Sequence, residues 1–221
     1  MKKILLVAFA SFALTGISFA GSFGVGASGS FVKVSADGTE TTGAGTNGAA
    51  NTNSKSVDEI GGIASIFLDY EFDSGIVFGI SHVPVAADVS SKVHTRAESS
   101  EGVSGTDSTG AVSRKADAEV ENLNTVYLEY PVGPMFVKAG YSQIDVNTKE
   151  NAITSSGTYG NDTLDGYMVG VGLNADIGSF FTKTAVEYTD FETLALSSTT
   201  NNKISADLDL FEIKLSVGKR F

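Results

Sequence analysis

The chain holds few side chains that could perform enzyme chemistry. Its two histidines are His82 and His94, and it has no cysteine. Ser81 precedes His82 in "GISHVPVA", and a hydroxyl with an imidazole is the core of many hydrolytic sites. This stretch does not define the acid that such a site also needs, and His94 starts a long polar segment. We therefore expect no catalytic site and no enzyme activity.

Metal and cofactor sites have equally weak support. "GNDTLDG" places Asp162 and Asp165 in a string that resembles a calcium loop only loosely, and a turn explains the same residues. "GVGASG", from Gly24 onward, opens an alternating stretch and precedes no helix, so it is not typical of a phosphate-binding loop. The sequence predicts neither a metal nor a cofactor.

The first 20 residues predict export. "MKKILLVAFASFALTGISFA" combines Lys2 and Lys3 with an apolar stretch and with small residues at Ser18 and Ala20. This is the pattern of a Sec signal peptide cleaved after Ala20, and an uncleaved membrane anchor is the alternative. Loss of the two lysines takes the formal net charge from −11 to −13. So acidic a chain is not expected to bind nucleic acid, because it lacks a basic patch.

Residues 21–221 are predicted to form one all-β domain. Apolar residues recur at every second position, and no apolar run approaches the ~20 residues of a spanning helix. The domain is therefore either soluble and exported or a membrane-spanning β-barrel, which satisfies its backbone hydrogen bonds within itself. The eight predicted strands are 22–35, 60–72, 76–91, 117–132, 135–148, 166–176, 179–196 and 204–221.

Short and long connections alternate along these strands. "DSG", "GP" and "IG" predict tight hairpin turns, whereas the other four connections are long and polar. In an up-and-down sheet this puts the long loops at one end and the short turns at the other, as in outer-membrane barrels. The composition of the longest, around "DGTETTGAGTNGAANTNS", predicts irregular structure. The long connections are predicted at 36–59, 92–116, 149–165 and 197–203.

Alternate residues of each strand form an apolar row and a polar row on opposite faces of the sheet. The residues of the polar row indicate which of the two rows points into the barrel. A secreted lipocalin-like barrel would turn its apolar row inward, whereas a membrane barrel turns it toward lipid. The polar rows hold five acids and four bases, which suggests a paired charge network in the lumen. Glycine and serine on strands one and six would leave room for it in a plugged barrel. The predicted network is Asp69, Glu71, Glu129, Lys138, Lys183, Glu187, Glu212, Lys214 and Arg220.

Aromatic residues cluster near both ends of the predicted strands, as expected for belts at two membrane interfaces. The belt at the short turns would contain Phe23, Phe72, Phe78, Phe136, Phe180 and Phe221, with Tyr70 and Tyr130 further in. The belt at the long loops would contain Phe31, Tyr167, Tyr188 and Phe191.

With these features the mature chain resembles the small eight-stranded outer-membrane barrels of the opacity-protein and OmpA-transmembrane type, without a periplasmic domain. In that class the last strand ends in an aromatic residue after alternating apolar ones, a signal read by the barrel-assembly machinery. The resemblance implies a Gram-negative outer membrane, contact with its lipid, and the assembly machinery and periplasmic chaperones as partners. Lys219 departs from the signal, and the matching residues are Phe211, Ile213, Leu215, Val217 and Phe221.

Two function classes remain. The favoured one is a structural or surface-interaction barrel with a closed, side-chain-filled lumen, whose long extracellular loops meet an unidentified ligand. The alternative is a porin-like channel for small solutes or hydrophobic ligands, of the OmpW type. The charged lumen argues against a hydrophobic tunnel.

Overall fold

A computed structural model describes residues 21–41, 52–84, 87–88, 94–99, 111–150, 158–198 and 202–221. The predicted signal peptide, 1–20, lies outside the described residues. Within the described ranges, no helix is long and apolar enough to cross a membrane. The strands are β1 Gly21–Thr41, β2 Thr52–Phe72, β3 Val77–Val83, β4 Ala87–Asp88, β5 His94–Ser99, β6 Ala111–Val132, β7 Met135–Glu150, β8 Asp162–Ile177, β9 Phe180–Phe191, β10 Leu194–Ser197 and β11 Lys203–Arg220.

These strands form a closed antiparallel ring with eight positions. β3, β4 and β5 pair successively with β6 and occupy one position, and β9 and β10 share another beside β11. β11 returns to β1, where Gly24–Thr41 pairs with Lys203–Arg220. Phe23 and Phe221 extend this seam with hydrogen bonds of 3.3 and 2.8 Å between their backbones. Closure leaves no free edge at the seam, and the predicted eight-stranded barrel is confirmed.

The register sets the tilt of the strands. A path from partner to partner around the ring, starting at Leu68 on β2, returns to β2 at Asp58. The displacement from residue 68 to residue 58 is ten residues, which is the shear of the barrel. With eight strand positions this shear gives a tilt of roughly 40° and an interior narrow enough for side chains to fill.

Short turns join the strands at one end, as predicted. Gly75, Gly133 and Gly178 lie in these turns with φ values of 79°, 65° and 65°, a conformation that glycine adopts without steric cost. The long connections predicted at the other end include residues that the structure places in strands. β1 continues to Thr41 and β2 begins at Thr52, because the two strands keep pairing with each other, and β1 with β11, beyond the predicted ends.

The inward and outward rows exchange polarity partway along the strands. On β1 the inward residues change from glycine and serine to Val32 and Val34, while the outward residues change from apolar to polar after Phe31. On β11 the inward residues Leu208 and Leu210 precede Glu212. β7, β8 and β9 change in the same way. One part of the barrel is therefore apolar outside and polar inside, and the extension beyond it is the reverse.

The change of polarity coincides with an aromatic belt. The tilt brings the outward side chains of Phe31, Tyr141, Tyr167, Tyr188 and Phe211 to nearly the same level, and Tyr141 and Tyr167 have ring centroids 6.0 Å apart. The belt at the short turns includes Phe23, Tyr70, Tyr130, Phe180 and Phe221. The apolar band between the belts is on the order of 20 Å tall, close to the height of a membrane-barrel band.

Two residues of the predicted belts do not belong to them. Phe136 and Phe191 are buried, because both fall on the inward row of their strands and fill the lumen. The prediction therefore placed both side chains on the wrong side of the wall.

Because the two rows exchange polarity, a new polar side chain beyond the belt should be costly on the inward row and nearly neutral on the outward row. Leu208→Asn, inward and beyond the belt, should lower the free energy of unfolding by about 3 kcal/mol, because it puts an amide into an apolar core. Ser205→Asn, on the outward row of the same strand, should change it by less than about 0.5 kcal/mol. Urea unfolding in lipid vesicles measures both, and equal losses would contradict the assigned orientation.

Candidate functional site

Among the described residues, seven charged side chains lie in the lumen between the two belts. They come from five strands and all lie on inward rows, where they are buried or nearly so. Four carboxylates and three lysines give the group one net negative charge. The members are Asp69 on β2, Glu129 on β6, Lys138 on β7, Lys183 and Glu187 on β9, and Glu212 and Lys214 on β11.

The first half of the group is centred on Lys183. Its Nζ lies 3.1 Å from Asp69 Oδ2 and 2.6 Å from Glu129 Oε2, so one ammonium from β9 contacts both β2 and β6 on the opposite side of the ring. Glu129 Oε1 then lies 3.9 Å from Lys138 Nζ. These ion pairs satisfy carboxylates that would otherwise be costly to bury.

The second half continues the alternation. Lys138 Nζ donates to Glu187 Oε1 at 2.7 Å, and Lys214 Nζ lies 2.8 Å from Glu187 Oε2. Lys214 also lies 2.5 Å from Glu212 Oε1, which accepts a further hydrogen bond of 3.0 Å from the Ser30 hydroxyl. The seven groups therefore form one row of alternating sign with a carboxylate at each end. We call them the lumen charge row.

Aromatic rings flank the lumen charge row. The Lys138 ammonium lies 3.9 Å from the centroid of the Tyr127 ring, and Lys183 lies 5.2 Å from that of Phe181. Phe181 is fully buried, and the Arg220 guanidinium carbon lies 4.6 Å from its centroid. Cations near ring faces gain electrostatic energy without further carboxylates. Phe181 thus separates the row from the short-turn mouth.

The other two predicted members lie at that mouth. Arg220 pairs with Glu71, and its Nη1 lies 2.5 Å from Asp176 Oδ1. Within the described residues, Arg220 and Glu71 form no ion pair with the seven lumen groups. Asp176 was not predicted, although it follows Gly170, Gly172 and Asn174 on the same row of β8 and could have been found there.

Small residues make room for the row. A Cβ atom on Gly24 would collide with the Asp69 carboxylate, and one on Gly218 would collide with the Phe181 ring. Between Lys183, Lys214 and a layer of serine hydroxyls lies a cavity of about 20 Å³, which has room for about one water molecule. The lumen at this level is filled by side chains.

The interior beyond the upper belt is different, and the sequence analysis missed it. Buried apolar side chains from β1, β6, β7, β8, β9, β10 and β11 pack into one cluster, which we call the upper core. An apolar cavity of about 40 Å³ lies within it. Adjacent apolar pairs, Phe31–Val32 and Leu210–Phe211, mark the change of row and could have revealed it. The upper core includes Val32, Val120, Ile144, Val146, Leu164, Phe191, Leu194, Leu196, Leu208 and Leu210.

The residues considered for catalysis and metal binding lie on three different strands. Ser81 and His82 lie on opposite faces of the wall, and His82 Nδ1 is 2.9 Å from Asn124 Oδ1. Asp162 and Asp165 lie in β8, not in a turn, and each accepts a hydrogen bond. His94 lies in β5, and its side chain is not described. No metal-binding group of three His, Cys, Asp or Glu residues occurs in the described part of the chain.

The apolar row of β11 faces outward over the whole lipid-facing band. Phe211, Ile213, Leu215, Val217 and Phe221 are all largely exposed in the isolated chain. Lys219 shares their face, and its ammonium lies 4.8 Å from the centroid of the Phe221 ring, so the charge can reach the interface.

An exposed ion pair lies beyond the upper belt and contrasts with the buried row. Lys33 Nζ is 3.0 Å from Asp58 Oδ1. A hydrogen bond of 2.7 Å from the Ser35 hydroxyl, together with Lys33, lowers the pKa of Asp58. Water screens this pair, so its contribution to stability is small.

No family model and no curated protein matches the chain. Among solved structures, outer membrane protein AlkL in lipid bilayers has a TM-score of 0.50 at 19% identity, covering 91% of this chain and 90% of AlkL. OprG from Pseudomonas aeruginosa has a TM-score of 0.49 at 13% identity, covering 91% and 96%. Ail of Yersinia pestis, crystallised with the heparin analogue sucrose octasulfate, has a TM-score of 0.41 at 12% identity, covering 89% and 99%. The chain has the fold of the outer-membrane β-barrels, and its lipid-facing band places it across that membrane.

The lumen charge row predicts that one buried lysine matters more than an exposed one. Lys183→Met should lower the free energy of unfolding by about 3–5 kcal/mol, because it leaves Asp69 and Glu129 without their cation. Lys33→Met, the matched control, should cost less than about 1 kcal/mol. Urea unfolding of both variants in lipid vesicles tests this, and similar losses would show that the row is not a buried network.

Proposed function

We propose that this outer-membrane β-barrel is a closed scaffold with a structural or surface-interaction role, not a solute channel. The lumen charge row carries this proposal. It crosses the interior from Asp69 on β2 to Glu212 on β11, and the cavity beside it measures about 20 Å³. A permeating ion would have to displace lysines that each contact at least two carboxylates.

The upper core closes the same path a second time. An apolar layer lies above the charged one, so an ion would also have to lose its water to pass Phe191, Leu208 and Leu210. The charge row and the upper core lie one above the other along the lumen, so displacing the side chains of one leaves those of the other in the path. This supports a closed barrel more strongly than the charge row alone.

The extension beyond the upper belt supports a role at the cell surface. There the outward rows of β1, β2, β9 and β11 are polar, and the paired strands hold them in fixed positions. More acids than bases lie on this face, which favours a cationic or neutral partner over an anionic one. The acids are Asp37, Asp58, Asp190, Asp207 and Asp209, and the bases are Lys33 and Lys203.

Because the lumen is closed, we predict that the protein conducts almost no ionic current. The purified protein, inserted into a planar lipid bilayer, should give at most small and rare conductance steps, because both layers exclude hydrated ions. A large porin in the same bilayer is the positive control for insertion. Large and steady conductance from the wild-type chain would overturn the closed-scaffold function.

A second candidate function is the binding of a small apolar molecule in the upper core. The cavity of about 40 Å³ favours it, since its lining is almost wholly apolar and empty apolar cavities in proteins can take up xenon. The sequence argument against a hydrophobic tunnel applies to the level of the charge row, because none of its seven groups lines the upper cavity, where Glu121 is the one charged residue among the described lining residues.

This candidate predicts a saturable response to xenon. Under rising xenon pressure, the methyl signals of Val32, Leu208 and Leu210 should shift to a plateau in NMR spectra of the barrel in lipid nanodiscs. The lipid-facing methyls of Leu215 and Val217 should shift without a plateau, because xenon only dissolves around them. Linear shifts at all five residues would exclude the binding site.

A further inference from the structure

Residues 158–161, which directly precede β8, form a short segment that lies against the end of β7 at the extracellular mouth. Thr148 near the end of β7 holds it in place. Its hydroxyl lies 3.2 Å from the carbonyl oxygen of Tyr159 and 3.3 Å from that of Gly160. Its backbone N–H donates to the side-chain oxygen of Asn161 at 3.1 Å. These bonds fix the backbone of Tyr159 relative to the barrel wall.

The Tyr159 side chain leaves this segment and lies on the upper core. It is half-buried and packs against the cluster together with Val34, Ala36, Ile204 and Ala206. These four residues belong to β1 and β11, which are not neighbours of β7 or β8 in the ring. Tyr159 therefore packs on the same cluster as residues contributed by another side of the barrel.

The hydroxyl of Tyr159 connects it to β1 on the other side of the mouth. Tyr159 Oη donates to Glu40 Oε1 at 3.2 Å, a bond between residues 119 positions apart in sequence. Glu40 lies on the inward row of β1, level with Ile204 of β11. The bond is long for a hydroxyl–carboxylate pair, and its acceptor is only partly buried, so it can break without disturbing the strands.

We propose that Tyr159 is a latch, held by Glu40, that controls access from the extracellular side to the upper core. With the bond made, the phenol ring covers the apolar residues beneath it. With the bond broken, the side chain of Tyr159 can rotate away from the upper core while Thr148 still holds its backbone and the ladders of β7 and β8 stay paired. The proposal goes beyond the closed-scaffold function, because the charge row stays closed in either position of the latch.

Cysteine labelling tests the latch, since the chain has no cysteine of its own. Ala206→Cys places a single reporter thiol against the upper core, on the inward row of β11 and opposite Gly38, two residues before Glu40. A small, charged methanethiosulfonate reagent is added to the folded protein, and the labelling rate is followed by mass spectrometry. Tyr159→Phe keeps the ring but loses the bond, and Glu40→Ala removes the acceptor. Each should raise the rate roughly 3- to 10-fold, the range expected for loss of one hydrogen bond.

A matched control separates the latch from a general loss of stability. Tyr188→Phe removes a comparable phenol–carboxylate bond, 2.8 Å from Asp209 Oδ1, that lies on the outer face of the barrel. It should leave the labelling rate unchanged. The heat-dependent gel shift of each variant verifies that the barrel is folded. Equal labelling rates in the parent, Tyr159→Phe and Glu40→Ala proteins would overturn the latch, and so would an equal acceleration by Tyr188→Phe.

Discussion

Mutual neutralisation of buried charges is the interaction on which the membrane-level part of this barrel depends. Asp69, Glu129, Glu187 and Glu212 lie inside a wall whose outer face contacts lipid, so they must find their cations within the lumen. Three lysines serve four carboxylates because each lysine bridges two of them. The cost of burying one ion is thereby shared along the row, and the same contacts tie β2, β6, β7, β9 and β11 together across the lumen.

The second constraint is the strict alternation of side chains in a strand. A residue cannot change its side of the wall without a bulge, so a strand that passes from lipid into water must exchange the chemistry of its two rows instead. On β1 the apolar residues change from the outward to the inward row between Phe31 and Val32, and on β11 they change from the inward to the outward row between Leu210 and Phe211. Beyond it the barrel resembles a soluble β-barrel, with an apolar core that also supports Tyr159 and the latch.

Much of this follows from sequence because alternation is local. The outward row of β11 and the inward positions of Lys183 and Glu187 could be predicted from the residues beside them. The pairing of Lys183 with Asp69 could not, because their contact depends on the shear of the ring, which no single strand determines. The upper core was missed because each predicted strand was given one apolar and one polar row along its whole length, whereas Val32, Val34 and Leu208 lie on the row that is polar at the level of the membrane. Nothing local indicates that Tyr159 reaches Glu40 across the mouth.

The position of the Lys183 ammonium is the most direct test of this account. Solid-state NMR of the barrel in lipid bilayers can measure ¹⁵N–¹³C dipolar couplings from lysine Nζ to carboxylate carbons, and Lys183→Met identifies the signal that belongs to Lys183. We predict couplings from this nitrogen to both an aspartate and a glutamate, at distances that agree with its contacts of 3.1 Å to Asp69 and 2.6 Å to Glu129. A Lys183 nitrogen without a nearby carboxylate, or one that exchanges freely with bulk water, would contradict the sealed lumen.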